Sequence, residues 1–107
     1  MNHYRCSNGT KVSKSFIDKK VHEAKEIKLT EQLDFYGFNF CTECQEIISS
    51  NNAVILTKIN EMDLKILDCS HIESVDSCQK NGHSEKAWDL NNIRILCRFH
   101  HRKHDHS

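Results

Sequence analysis

Three observations predict a small α+β domain closed by a structural metal. Cys41-Thr-Glu-Cys44 and Cys97-Arg-Phe-His100 are two matched pairs of soft-to-borderline donors. The segments around those pairs read, in order, as strand, strand and helix. At 107 residues and 37% apolar content, with a mean hydropathy of −0.65, the chain is one domain whose modest core needs reinforcement.

The elements follow in order. Asn8-Gly9 marks a turn between extended pieces at Tyr4–Cys6 and Lys11–Val12. Ser15-Phe-Ile-Asp18 reads as a helix start with Ser15 as N-cap. Apolar residues then recur at Ile17, Val21, Ala24, Ile27 (or the stem of Lys28), Leu33 and Tyr36, opposite a Lys-rich face, and Gly37 ends the run. This gives an N-terminal unit over 1–37, a hairpin and a basic amphipathic helix packed on the remainder.

From residue 38 the expectations change. Phe38–Phe40 is a strand entering a knuckle at Cys41, and Cys44 leads into a short helical or irregular stretch ending at Asn51-Asn52. Ala53–Ile59 and Leu64–Ile72 look like strands of a hairpin closed by Asn60-Glu-Met-Asp63. Residues 73–91 read as a long polar loop, anchored on the core by Trp88. Ile93–Leu96 is a strand pairing with the one that ends at His71, and Arg98 to His104 is a short helix.

Net charge is zero, but its distribution is uneven. Residues 1–40 carry seven Lys/Arg against five Asp/Glu, residues 41–91 four against nine, and residues 92–107 four against one. The basic excess lies at the two ends, which allows a polyanionic partner without demanding one. The chain lacks an apolar run of the roughly 18 residues that a membrane span needs. No charged-then-apolar leader opens it, so a cytoplasmic protein is expected. The six cysteines, two pairs of them at metal spacing beside eight histidines, favour zinc in a reducing compartment over disulfides. Cys6, Cys69 and Cys78 are left open by this argument.

Cys41, Cys44, Cys97 and His100 fill four tetrahedral positions with protein donors, so the zinc is structural and staples segments more than fifty residues apart. Assigning His100 by its C-x-x-H spacing releases His101 for another use. His71 ends a strand and is a suitable general base. Asn92 stands where the loop re-enters a strand, and its amide is suited to fixing the backbone around that base. On the last helix, His104 and Asp105 follow His101 at i+3 and i+4, on one face. His3, His22, His83 and His106 read as surface residues.

Asp68-Cys-Ser-His71, followed by Asn92-Ile-Arg-Ile-Leu-Cys97-x-x-His100-His101, resembles the HNH endonuclease family. The resemblance covers about residues 38–105, and the basic N-terminal extension is similar to that of small bacteriophage HNH proteins. It implies a ββα-metal domain braced by a treble-clef-like zinc knuckle, and hydrolysis of DNA phosphodiester bonds, in duplex DNA. By the same resemblance His71 is the general base and Asn92 orients its loop. His101 binds a catalytic Mg2+ or similar divalent ion with Asp105, or else His104, as partner. There are two departures: Ser70 stands where the family carries an Asp or His ligand, and His100 replaces the usual fourth Cys. The Ser70 change supports a rival expectation, a non-catalytic zinc-stabilised module that binds nucleic acid or protein; a third is a structural subunit of a larger assembly.

Overall fold

A computed structural model describes residues 3–105, the side chain of Asp105 excepted. The chain is a small mixed α/β fold with two two-stranded sheets. His3–Arg5 (β1) and Lys11–Ser13 (β2) pair antiparallel with Tyr4 opposite Val12. The turn between them needs Gly9 at φ 88, a left-handed conformation that costs a side-chain-bearing residue energy.

Helix α1 runs Lys14–Tyr36, starting two residues before the expected start at Phe16. Ser13 rather than Ser15 caps it: its hydroxyl accepts the Phe16 N–H at 3.2 Å. Ile17, Val21 and Ala24 are buried as expected, whereas Ile27, Leu33 and Tyr36 remain 48, 47 and 55% exposed. The inward stripe continues instead through polar side chains. Lys28 sends its ammonium to the Leu90 carbonyl at 3.0 Å. Gln32 is buried, donates to the Phe40 carbonyl and accepts from the Phe40 N–H and the Asn39 amide. Gly37, at φ 84, ends the helix, its N–H bonded to Leu33 O.

Two expected strands are absent and a third is shortened. Phe38–Phe40 has no ladder partner and runs into the loop that Gln32 holds. Ala53–Lys58 is a 3-10 segment and Glu61–Lys65 a short helix (α3), so the hairpin does not form. The reason is local. Asn60 is not a turn residue but an N-cap, its side chain accepting the Met62 N–H at 2.9 Å. Glu61 and Asp63 occupy the favourable first turn, and Lys65 pairs with Glu61. Only Leu67–His71 of the second expected strand is extended (β3).

Helix α2 occupies Thr42–Ser49. The supposed loop 73–91 contains helix α4, Val75–Lys80, and 3-10 turns at Ser84–Trp88 and Leu90–Asn92. Ser74 caps α4 by accepting the Ser77 N–H at 3.1 Å, and Lys80 pairs with Asp76. Ile93–Cys97 (β4) pairs with β3, and Arg98–Asp105 follows directly as helix α5.

The chain forms two compact units, neither of them contiguous. The first comprises 1–30 and 71–94, the second 31–70 and 95–107, so residue 37 falls inside the second. Ile17, Val21, Cys78 and Ala87 form the core of the first unit, with Tyr4, Val12, Val75 and Trp88 packed on it. Trp88 meets the Phe16 ring edge-on at 5.8 Å. In the second unit, Cys41, Leu96 and Cys97 are the buried centre, flanked by Cys44, Leu64, Leu67 and Phe99. No helix among the described residues is long and apolar enough to cross a membrane.

Candidate metal centre and flanking histidines

Helix α2 begins inside the C-x-x-C pair. Cys41 is its N-cap residue, and the sulfur accepts the Cys44 N–H at 3.4 Å. The C-x-x-C pair therefore sits at the N-terminus of α2, with both sulfurs on its first turn. Cys97 is the last residue of β4, and His100 follows on the first turn of α5. Arg98 N–H bonds to Ile66 O at 2.8 Å and the Thr42 hydroxyl to Ile95 O at 3.2 Å, which fixes the two ligand-bearing loops.

The four side chains converge. His100 Nδ1 lies 3.4, 3.4 and 3.2 Å from the sulfurs of Cys41, Cys44 and Cys97, and the sulfurs of Cys44 and Cys97 are 3.7 Å apart. Tetrahedral zinc with ordinary bond lengths sets sulfur–sulfur edges of ~3.8 Å and sulfur–nitrogen edges of ~3.5 Å. The donors therefore fit zinc in chemistry and spacing, and Nδ1 is the nitrogen they present. Cys41, Cys97 and His100 are buried and Cys44 is half-buried.

Electrostatics give the cluster its purpose. Burial pushes the Cys97 thiol up, and burial together with the neighbouring sulfurs pushes Cys44 up further. Burial also lowers His100, which keeps its imidazole neutral and able to ligate. A dication offsets the cost of thiolates in this interior, and nothing else in the cluster does. Such a filled site would supply cohesion, not chemistry.

The other expected residues divide between the units. In the first, His71 Nε2 bonds to the Ala87 carbonyl at 2.7 Å. Asn92 is buried and accepts the Glu73 N–H at 2.8 Å, while its amide donates to the carbonyls of Glu73 and Lys86 at 3.0 Å each. In the second, His101 Nδ1 meets Asp68 Oδ2 at 3.2 Å. His104 Nε2 meets Glu43 Oε2 at 2.7 Å. Burial works to raise the Glu43 carboxyl, but the His104 hydrogen bond and nearby positive charge hold it below its usual range. The side chain of Asp105 lies outside the described residues. Ser70 is buried, 2% exposed.

Asp68 and Glu43 are partners that the spacing argument did not assign. Their signal was chemical: each is a carboxylate within three residues of a site residue, Asp68 before His71 and Glu43 between the two cysteines. His83, expected at the surface, is half-buried against Glu73 at 2.6 Å.

Compared with family models, with curated proteins and with solved structures, the chain matches none.

Proposed function

We propose that the protein is a metal-dependent endonuclease of the HNH type that hydrolyses phosphodiester bonds of DNA, with His71 as general base. The observation that carries this reading is the way His71 is held. A hydrogen bond from Nε2–H to the Ala87 carbonyl puts the proton on Nε2 and makes Nδ1 the basic nitrogen. The segment containing Ala87 is fixed in turn, because the Asn92 side chain bonds backbone groups of Glu73 and of Lys86, the residue before Ala87. An imidazole whose tautomer is set by a rigid backbone acceptor is prepared to take a proton from water.

The remaining roles follow the same logic. Asp68 accepts from His101 Nδ1–H, which makes Nε2 the donor toward a cation, as carboxylates commonly do for ligating histidines. A divalent ion at His101 would neutralise charge on the scissile phosphate. Arg98, Arg102 and Lys103, on the same helix, supply contacts to the DNA backbone. The order of β3, β4 and α5, with the Cys₃His cluster at the foot of α5, agrees with a ββα-metal arrangement.

A second reading has one specific observation in its favour. Ser70, where the family carries an Asp or His ligand, is buried and uncharged, and His104 is engaged with Glu43. The uncharged Ser70 favours a zinc-stabilised module that binds nucleic acid without cutting it.

Plasmid nicking in Mg2+, Mn2+ or Ni2+ separates the two. The wild type is expected to nick, and His71→Ala to fall by at least ~100-fold with its zinc content unchanged. Cleavage that survives His71→Ala rejects the assigned base. Salt-dependent DNA binding with no nicking in any of the three metals establishes the second reading.

A further inference from the structure

A second group of donors lies in the first unit, apart from the Cys₃His cluster. We propose that Glu73, Cys78 and His83 form a second metal site that takes one zinc-class divalent cation. One oxygen, one sulfur and one nitrogen from these residues all lie within 4.8 Å of one another. This mixture of hard, soft and borderline donors suits zinc or cobalt and disfavours magnesium or calcium.

The backbone around the site is already in place. Both the N–H and the C=O of Glu73 are bonded to the Asn92 side chain. The His83 N–H bonds to the Cys78 carbonyl at 3.1 Å, across the turn that Gly82 makes at φ 76. Cys78 is fully buried, and its sulfur points back to the Glu73 carbonyl at 3.8 Å. Edges of ~3.4–3.6 Å are required for mixed oxygen, nitrogen and sulfur donors on tetrahedral zinc. The half-buried Glu73 and His83 side chains are the ones that would move to meet them.

The surroundings divide as they do in a ligand site. Behind the thiol lie Ile17, Val21 and Ala87, an apolar wall that excludes water. In front, Glu73 Oε2 faces His83 at 2.6 Å and the Ser77 hydroxyl at 3.2 Å. The other oxygen, Oε1, accepts from Lys86 Nζ at 3.1 Å, an outer contact that orients the carboxylate and leaves Oε2 as the ligand. Binding expels the proton of the Cys78 thiol, while His83 ligates through Nε2 as a neutral imidazole with its proton on Nδ1. Thiolate and carboxylate together then balance the dication. Three protein donors leave a fourth position for water or a small anion.

The consequence is a staple for the first unit to match that of the second. It pins residues 73–83, directly after the strand that carries His71, and stands or falls independently of nuclease activity. Elemental analysis of the purified, zinc-equilibrated chain tests it. Two zinc ions per chain are expected in the wild type and one in His83→Ala. X-ray absorption on the wild type should average two sulfurs per zinc, the mean of a three-sulfur and a one-sulfur site. One zinc per chain with three sulfurs overturns the proposal and leaves a hydrogen-bonded network only. Two zinc ions retained in His83→Ala also overturn it. If that variant does not fold, the wild-type zinc count and sulfur average decide the matter alone.

Discussion

Asn92 shows how much one side chain can carry. Its amide is buried and makes three hydrogen bonds to backbone groups of Glu73 and Lys86. Asn92→Ala would orphan all three, each costing up to a few kcal/mol if water does not reach it. A loss of about 3 kcal/mol in unfolding free energy is expected, measured by urea denaturation. Ile17→Ala, at a fully buried position in a core of only four residues, should cost about the same through the cavity it leaves. At this scale the metal cluster was legible, because two-residue spacing between like donors has few other uses. The pairing of Asp68 with His101 and of Glu43 with His104 was not. Those contacts join residues 33 and 61 positions apart, and no periodicity encodes such a separation.

Among elements, the longest helix was readable and the two shortest helices after residue 60 were not. Helix α1 spans 23 residues, enough for its apolar spacing and terminal glycine to be read against the alternatives. Helices α3 and α4 have five and six residues, too few for a period to emerge. Asn60 and Ser74 therefore read as turn or loop chemistry, yet each is a cap, because the same side-chain oxygen serves both purposes. Ser74→Ala should lower stability by about 1 kcal/mol and loosen α4, seen as faster amide exchange over Val75–Lys80.

For the whole molecule, the two units are interleaved along the chain, and that interleaving was hidden from a left-to-right reading. The core of the second unit is built largely from the donors of its candidate metal cluster. A structural zinc contributes on the order of 10 kcal/mol, comparable to the ~5–15 kcal/mol that a whole domain has in reserve. Chelation at neutral pH should therefore lower the melting temperature of the second unit sharply, and zinc should restore it. The pH dependence has opposite signs in the two states. With metal bound, protons compete for the thiolates, so stability falls on acidification. Without metal, Cys44 and Cys97 have thiols raised above their ordinary value of 9.0, so the folded chain favours the protonated forms. That contribution is fully present below pH 9 and is lost as pH rises through the raised values. Thermal melts of the chelated and loaded chain across pH check both slopes.

The 3.7 Å separation of the Cys44 and Cys97 sulfurs exposes the staple to oxidants. Peroxide can take two electrons from this pair and join them as a disulfide, since a zinc thiolate is still a nucleophile. A bound ion would then lose half its donors and depart. Because Cys44 is only half-buried, attack starts there. A chromophoric zinc indicator should record release after mild peroxide and recapture after dithiothreitol, so the interior that holds this unit together would double as its point of redox failure.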